Sequence, residues 1–340
     1  MLACLLDGPD NTVSIRDVPV PRLNKGDDLI KMKACGICGT DLEKISGQLG
    51  PGGILGHEIS GTIQHASENG RYRIGDRVVA HHHVPCYKCA TCQKRDYTLC
   101  EQFKKTNIDP CGLAESFRVP EYNVERGALI ELPKQLSFEE GAMIEPTACC
   151  IRAIDKTNLH EKDNILVVGL GPAGLTQVQL LRKKTSGQII GTDVVEARLK
   201  IGAKLGADQT LSPQSEKIPD VVVKMTGGGA DLALVATGNE KALDQALSSV
   251  RRGGKVLLFG APALGANYQL DTSTLFSRGL SLITSYSCTE AEIHEAIRLV
   301  SEKQIDLQAL ISDRFKLREA DKALEHALSS KTAIKTIVTA

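Results

Sequence analysis

Up to about residue 140, apolar residues occur in short stretches that Gly, Pro and Asp interrupt. Examples are Leu29–Ala34, Ile59–Gln64, Arg77–Ala80 and Ser116–Val119. Stretches of this length, bounded by turn-forming residues, are typical of β-strands. The first part of the chain is therefore predicted to be a mostly antiparallel β domain with long loops.

Between about residues 141 and 285, apolar runs of strand length alternate with segments of helical periodicity. The predicted strands are Ile165–Val168, Gln188–Thr192, Val221–Val223, Asp231–Ala236, Lys255–Phe259 and Ser281–Ser285. Predicted helices between them include Leu175–Leu181, Ala197–Leu205 and Lys241–Val250. This alternation predicts an α/β fold with a doubly wound parallel sheet. Two further helices, Glu290–Lys303 and Arg318–Ser329, and the apolar segment Ala333–Val338 follow.

The strand at Ile165–Val168 leads into the turn Gly169-Leu170-Gly171-Pro172-Ala173-Gly174 and then into a helical segment. Strand, G-x-G-x-x-G turn and helix together are the context of a dinucleotide site. Gly171 lets the backbone approach a pyrophosphate, Gly174 lets helix and strand pack closely, and the helix N-terminus offers N–H groups to the phosphates. Asp193 follows the next strand, where a carboxylate accepts from a ribose 2′-hydroxyl and repels a 2′-phosphate. The pattern predicts NAD rather than NADP.

Composition and charge narrow the possible partners. The 340 residues include 41 Lys and Arg against 41 Asp and Glu, so nothing indicates an electrostatic partner such as nucleic acid or an anionic membrane. No apolar stretch approaches the ~18–20 residues of a transmembrane helix. The 11 cysteines occur without a secretory signal, which favours metal ligands in a reducing cytoplasm over disulfides.

The clearest metal signal is Cys86-x2-Cys89-x2-Cys92-x7-Cys100. Four thiolates this close in sequence can surround one tetrahedral ion, and a site with no open position is structural. Three cysteines at this spacing also occur in iron–sulfur proteins, but the longer last gap and the absence of a following Pro count against a cluster. We interpret the segment as a structural zinc site.

A second set of candidate ligands is dispersed along the chain. Cys38 lies in Cys-Gly-Thr-Asp, His57 in Gly-His-Glu, and Glu145 in Glu-Pro just before the dinucleotide fold. One Cys, one His and one carboxylate leave the fourth position of a zinc ion open, which is the catalytic pattern. His81, His82 and His83 are interpreted differently, since alternate residues of a strand face opposite sides and cannot converge on one ion.

The order of these motifs resembles that of the zinc-dependent medium-chain dehydrogenases, and most closely the sorbitol (L-iditol 2-) and threonine dehydrogenase branch. The resemblance covers nearly the whole chain. It implies a GroES-like catalytic domain in two pieces, residues 1–140 with a zinc lobe at 86–100 and a returning segment at 286–340. A Rossmann domain at 141–285 lies between the pieces in sequence.

Residue by residue, the resemblance assigns Cys38, His57 and Glu145 to the catalytic zinc. Glu58 matches an acidic residue that ligates zinc in some states of the family and lies behind the ligands in others. Thr40 matches the hydroxyl residue that accepts the substrate's alcohol proton.

Three further roles follow from the resemblance. Asp41 matches a carboxylate that orients the ligand histidine. Glu43 stands where many relatives have a proton-relaying His, so either Glu43 relays the proton or the proton leaves through ribose hydroxyls and water. The expected cofactor contacts are Arg198 beside Asp193 at the ribose, and Phe259, Gly260, Ala261, Ser285 and Tyr286 towards the nicotinamide.

The predicted function is reversible, NAD-linked oxidation of a secondary alcohol, with a polyol such as sorbitol or L-iditol as the expected substrate. A threonine-type or simple alcohol dehydrogenase would share the same machinery. The alternative from another class is a catalytically silent NAD-binding protein, which would have no need of an open metal site. The resemblance also implies a homodimer or homotetramer, joined partly through edge strands such as Ser281–Ser285.

Overall fold

The computed structural model describes residues 1–8, 10–50, 53–68 and 70–340. The strands are β1 (Leu2–Asp7), β2 (Thr12–Asp17), β3 (Asp28–Gly36), β4 (Glu58–His65), β5 (Arg77–Ala80), β6 (Ser116–Val119), β7 (Leu129–Glu131), β8 (Ile165–Val168), β9 (Ile189–Thr192), β10 (Gln209–Leu211), β11 (Ala230–Val235), β12 (Val250–Leu258), β13 (Ser281–Thr284), β14 (Ile311–Lys316) and β15 (Lys335–Thr339). The helices are α1 (Gly39–Ile45), α2 (Ala90–Gln93), α3 (Glu121–Val124), α4 (Phe138–Ala142), α5 (Ile144–Asp155), α6 (Pro172–Arg182), α7 (Glu196–Lys204), α8 (Ile218–Thr226), α9 (Glu240–Ser249), α10 (Thr272–Arg278), α11 (Glu290–Ser301) and α12 (Ala320–Ser329).

The chain divides into two compact units by its internal contacts. Unit 1 comprises residues 1–148 and 287–340, and unit 2 comprises residues 149–286. Among the described residues, no helix combines the length and the apolar character that crossing a membrane requires.

Unit 1 is built around β3. In its main sheet the strand order is β14-β15-β3-β4-β5-β7, with β6 also paired to β3. All these pairings are antiparallel except that of β14 with β15. Ile30, Met32, Ile59 and Phe117 are fully buried in the core that this sheet covers. The predicted GroES-like, mostly antiparallel domain is confirmed, and the four stretches predicted as strands form β3 to β6.

The register of unit 1 brings distant segments together at one end of β3. Gly36, the last residue of β3, pairs with Glu58, the first residue of β4. Gly36 also pairs with Ile337 of β15 on its other side. The loop that follows β3 and the loop that precedes β4 are therefore neighbours, with β15 beside them.

Unit 2 is a parallel sheet in the order β10-β9-β8-β11-β12-β13. Chain order reverses between β8 and β11, and ligands of such sheets bind at the carboxyl ends of strands near this switch. The turn with Gly169 follows β8, and Thr237-Gly238 follows β11. The predicted Rossmann sheet is confirmed, together with the helices α6, α7 and α9.

One predicted strand is wrong. Val221–Val223 lies within α8, which begins one residue before Pro219. Val222 is buried while Val223 is 44% exposed, so the apolar triplet spans the buried side and the margin of an amphipathic helix. The strand that follows β9 in the chain is β10, whose residues Gln209–Leu211 are too few and too polar to give a strand pattern.

Candidate metal centres and nucleotide site

Cys38, His57 and Glu58 lie together at the end of β3. One ligand atom of each lies within 4.8 Å of the other two. The proximity follows from strand register, because the pair Gly36 and Glu58 holds the two loops side by side. A thiolate, an imidazole and a carboxylate are all zinc ligands, so this donor set fits a zinc ion.

Asp41 connects the two loops of this set. Its carboxylate accepts from the backbone N–H of Cys38 at 3.1 Å and from that of Gly56 at 3.0 Å. Its Oδ1 also lies 3.5 Å from Nδ1 of His57. Although burial opposes ionisation, the His57 ring holds the pKa of Asp41 below its usual value. A carboxylate on Nδ1 leaves Nε2 of His57 available to a metal, which is the orienting role the sequence predicts.

A buried lysine completes the polar surroundings of Glu58. Lys335 of β15 forms an ion pair with Glu58 and donates to the carbonyl of Ile37 at 2.9 Å. Burial raises the pKa of Glu58 against the opposing effect of the Lys335 ammonium. Gly36 makes room for the pair, since a Cβ on Gly36 would lie 2.1 Å from Oε2 of Glu58.

Thr40 and Glu43 lie on α1, the helix that begins directly after Cys38. Residues three apart lie on the same side of a helix. Burial raises the pKa of Glu43. Its Oε2 is buried without a hydrogen-bond partner in the described part of the chain. The predicted proton-relay residues are thus neighbours on one helix.

Glu145 lies in the first turn of α5 and belongs to a different group of possible metal ligands from that of Cys38 and His57. Its carboxylate, the imidazole of His81 and the thiol of Cys288 offer ligand atoms within 4.8 Å of one another. Glu145 also influences the pKa of Glu58 through its charge, so the two sets are neighbours. The assignment of Glu145 to the Cys38 and His57 ion stays a prediction.

The three consecutive histidines have different partners. His81 contacts Cys288 and Glu290. The ring of His82 lies 5.0 Å from that of His57, centroid to centroid. His83 pairs through Nδ1 with the carbonyl oxygen of Thr106.

The four cysteines of the 86–100 segment surround one point. Sulfur–sulfur distances are 3.6 Å for Cys86 and Cys100, 3.8 Å for Cys89 and Cys100, and 3.9 Å for Cys86 and Cys92. A tetrahedron with Zn–S bonds of about 2.3 Å has edges of about 3.8 Å, so the four thiols fit one zinc ion. Backbone N–H groups of Lys88 and Cys89 lower the pKa of Cys86 to about 6, which favours the thiolate.

The glycine turn of unit 2 has the geometry of a dinucleotide site. Gly169 has φ +93°, in the region that favours glycine. A Cβ on Gly174 would lie 1.9 Å from the carbonyl oxygen of Gly169, whereas a Cβ on Gly171 would meet nothing within 4 Å. Pro172 and Ala173 form the first turn of α6, with Gly171 as its N-cap. Gly174 therefore permits helix–strand packing, and Gly171 leaves open space for a phosphate.

Asp193 lies at the end of β9, beside this turn. Its carboxylate accepts from the N–H of Leu170 and of Val195, at 2.7 and 2.8 Å. The guanidinium of Arg198 is 3.9 Å from Asp193, so the two predicted ribose contacts are neighbours.

The residues predicted near the nicotinamide follow β12 and β13. The N–H groups of Phe259 and Gly260 both donate to the carbonyl of Val235. A Cβ on Gly260 would lie 2.3 Å from the backbone of Thr237, so this turn and the one after β11 touch. Ala261, Ser285 and Tyr286 continue these two loops of unit 2.

Comparison with known proteins identifies the family. Residues 24–133 match the alcohol dehydrogenase GroES-like domain, and residues 172–302 match the zinc-binding dehydrogenase domain. The sorbitol dehydrogenase of Bacillus subtilis (strain 168) is 30% identical over 329 residues, covering 94% of this chain and 91% of that protein. The chain belongs to the zinc-dependent medium-chain dehydrogenases. It is an alcohol dehydrogenase that depends on zinc and a nicotinamide cofactor.

Two further proteins are similar to this dehydrogenase over nearly the whole chain. The L-threonine 3-dehydrogenase of Symbiobacterium thermophilum is 30% identical over 332 residues, with 94% of this chain and 91% of that protein covered. A zinc-binding dehydrogenase structure from Sinorhizobium meliloti 1021, bound to NADP, has a TM-score of 0.88 and 27% identity. The match covers 100% of this chain and 99% of that one.

Sequence reasoning missed three residues of this dehydrogenase's polar centre, the region around the Cys38, His57 and Glu58 group and the His81, Glu145 and Cys288 group. Lys335 reaches Glu58 only because β15 pairs with β3, and Cys288 and Glu290 reach His81 only through the tertiary fold. A lysine within the apolar segment Ala333–Val338 was the one local signal, because a lysine on a buried strand needs a charged partner.

Proposed function

We propose that this dehydrogenase oxidises a vicinal polyol to a ketone, reversibly and with NAD. The observation that carries the proposal is the donor set of Cys38, His57 and the acidic residues Glu58 and Glu145. A ligand set with one thiolate and a carboxylate is chemically harder, that is, less polarisable, than a set with two thiolates. A zinc ion in the harder set is better suited to binding two substrate hydroxyls as a chelate. The similarity to sorbitol dehydrogenases supports this substrate class.

Cys38, His57 and Glu145 are the proposed ligands of the catalytic zinc, with Glu58 as an alternate ligand. When bound at these residues, zinc would supply Lewis acidity that lowers the proton affinity of the substrate oxygen, and NAD would supply the hydride acceptor. Asp41 orients the His57 ring. Cys86, Cys89, Cys92 and Cys100 hold the structural zinc.

Thr40 and Glu43 carry the proton in this proposal. The Thr40 hydroxyl accepts the proton of the substrate alcohol at Oγ1 and can donate its own onward. Glu43, three residues later on α1, offers a carboxylate oxygen that is buried and has no hydrogen-bond partner in the described residues. Since burial raises the pKa of Glu43, its carboxylate is a better proton acceptor than an exposed one.

Unit 2 binds the cofactor through the glycine turn and the loops after β9, β12 and β13. Gly169 to Gly174 and the N-terminus of α6 take the pyrophosphate, and Asp193 takes the adenosine ribose with Arg198 beside it. Phe259, Gly260, Ala261, Ser285 and Tyr286 line the nicotinamide end. The Asp193 carboxylate disfavours a 2′-phosphate, so NAD is the proposed cofactor although one relative's structure contains NADP.

A threonine-type substrate is the second candidate, favoured by the 30% identity to an L-threonine 3-dehydrogenase. An amino alcohol would use the same metal and proton groups, and only the residues around the rest of the substrate would differ.

The test is cofactor reduction, followed by absorbance, over a panel of polyols, threonine and simple alcohols. Each reaction is run with NAD and with NADP, and with and without a zinc chelator. We expect chelator-sensitive, NAD-selective turnover of vicinal diols. Preferential turnover of threonine would favour the second candidate, and turnover that survives zinc removal would contradict both.

A matched pair of cysteine variants tests the site. Cys38→Ser removes a proposed ligand, so turnover is expected to vanish while NADH binding, followed by fluorescence, is retained. Cys35→Ser is the control, because Cys35 is a fully buried thiol at the same end of β3 but lies outside the grouped ligand sets of the described residues. Equal turnover of the two variants would contradict the ligand assignment.

We further propose a homodimer or homotetramer that works in the cytoplasm. Cysteines clustered as metal ligands, such as Cys86, Cys89, Cys92 and Cys100, are typical of proteins in a reducing compartment. Edge strand β13, with Leu282 41% exposed, is the proposed contact between copies.

A further inference from the structure

A third group of metal-ligating side chains lies inside unit 1, beside the catalytic set of Cys38, His57 and Glu58. Sγ of Cys288 is 3.8 Å from Nε2 of His81 and 4.0 Å from Oε1 of Glu145. All three residues are buried, with 0%, 0% and 5% of their surfaces exposed for Cys288, His81 and Glu145. Three elements far apart in sequence therefore converge on one buried point.

One ring nitrogen of His81 has a carboxylate partner, as is common for a histidine that binds a metal through the other nitrogen. Its Nδ1 lies 3.2 Å from Oε1 of Glu290, at the start of α11. The other carboxylate oxygen of Glu290 accepts from the hydroxyl of Tyr87. With Nδ1–H donating to a carboxylate, the lone pair of Nε2 faces Cys288 and Glu145. Metal-ligating histidines almost always donate the other ring N–H to a carboxylate, a backbone carbonyl or a water, and at His81 the acceptor is a carboxylate.

The spacing of the three donor atoms also suits an ion. Ligand atoms of a tetrahedral zinc with S, N and O donors lie roughly 3.3–3.6 Å apart, given bond lengths of about 2.0–2.3 Å. The distances at Cys288, 3.8 and 4.0 Å, need to shorten by only a few tenths of an ångström. One thiolate, one imidazole and one carboxylate form a donor set of borderline softness. Such a set binds zinc or cobalt(II) in preference to calcium or magnesium, which take oxygen donors.

We propose that His81, Glu145 and Cys288 form a third metal site of the chain, which takes Zn²⁺ or Co²⁺. The site lies next to the Cys38, His57 and Glu58 set, and the carboxylate of Glu145 can serve either ion. The proposal does not rest on the substrate or cofactor proposed above, because it concerns metal binding alone.

The experiment counts metal ions in a background that lacks the catalytic set's thiolate. Cys38→Ser protein is equilibrated with Zn²⁺, freed of excess metal, and analysed for zinc per chain by mass spectrometry. We expect about two ions per chain, one in the four-cysteine lobe and one at the third site. Adding Cys288→Ser is expected to reduce the count to about one. In protein whose four-cysteine lobe keeps its Zn²⁺, the same substitution is expected to remove the thiolate-to-cobalt absorption band of Co²⁺ bound at the third site.

Cys111→Ser in the same background is the matched control, since Cys111 is a buried thiol of unit 1 that donates to the carbonyl of Cys4. It is expected to leave the count and the band unchanged. A count of one in Cys38→Ser protein, or a count and band that survive Cys288→Ser, would overturn the proposal.

A second variant covers the case in which Cys288→Ser fails to fold. Glu290→Gln leaves the three ligands intact but replaces the carboxylate beside Nδ1 of His81 by a neutral amide, so Co²⁺ affinity at this site is expected to fall about 10- to 100-fold. Unchanged Co²⁺ affinity would contradict the proposed role of His81. Turnover is measured separately on the wild type, so a failed substrate proposal and a failed metal proposal give different results.

Discussion

Asp41 joins the two loops that carry Cys38 and His57. Its one buried carboxylate binds the backbone at Cys38 and at Gly56 and lies 3.5 Å from the His57 ring. Asp41→Asn keeps the size of the side chain but replaces one acceptor oxygen by a donor amide. The carboxylate on His57 is then lost, and we expect zinc affinity at the catalytic set to fall about 10- to 100-fold. Competition with a chromogenic chelator measures this affinity.

The control for Asp41 is Asp27→Asn. Asp27 is likewise buried in unit 1 and accepts from backbone N–H groups, those of Asn24 and Glu121. It belongs to none of the groups of possible metal ligands in the described residues. Zinc affinity should therefore stay at the wild-type value in Asp27→Asn, and an equal loss in both variants would indicate a general effect on folding.

At the scale of elements, the packing of α6 on β8 depends on one glycine. Gly174→Ala would place a Cβ 1.9 Å from the carbonyl oxygen of Gly169. The helix must then move away from the strand, and overpacking of this kind costs about 1–3 kcal/mol. We expect a lower free energy of unfolding and weaker NADH binding together, measured by urea denaturation and by NADH fluorescence.

Gly171→Ala separates the two effects. A Cβ at Gly171 meets nothing within 4 Å, so stability should change little. The same Cβ would stand where the pyrophosphate approaches the backbone, so NADH binding should weaken. If Gly171→Ala binds NADH as the wild type does, the cofactor does not use this turn as proposed.

The loop before β3 gives a prediction about acid stability. Burial opposes ionisation of Asp27, but backbone N–H groups of Asn24 and Glu121 and the Arg118 guanidinium hold the pKa of Asp27 below its usual value of 3.8. A depressed folded-state pKa stabilises the protein above the unfolded pKa, and this contribution is lost as pH falls through the folded pKa. The difference in unfolding free energy between wild type and Asp27→Asn should therefore be largest above pH ~4 and shrink at lower pH. Urea denaturation at a series of pH values measures it, and a difference that does not change with pH would contradict the prediction.

Local patterns predicted the elements that bury continuous apolar runs. β8 coincides with the predicted Ile165–Val168, and the glycine turn after it is identifiable because strand, turn and helix are adjacent in sequence. The strand prediction at Val221–Val223 is wrong because three consecutive valines fit a short strand and a helix face equally well. Lys335 and Cys288 could not be placed at the polar centre, because their positions depend on sheet pairing and packing between segments far apart in sequence.

At the scale of the whole molecule, the exposed edge of the unit 2 sheet gives a prediction about assembly. β13 lies at the end of the strand order and carries Leu282, 41% exposed. Edge strands with exposed apolar side chains pair readily with another copy, and an inserted lysine opposes such pairing. We expect Leu282→Lys to reduce the molar mass in light scattering from that of a dimer or tetramer to a smaller species, with the far-ultraviolet circular dichroism unchanged. Leu264→Lys is the control, because Leu264 is 76% exposed and lies outside the strands. A wild type that is already monomeric, or an assembly that tolerates lysine at position 282, would show that β13 is not the contact between copies.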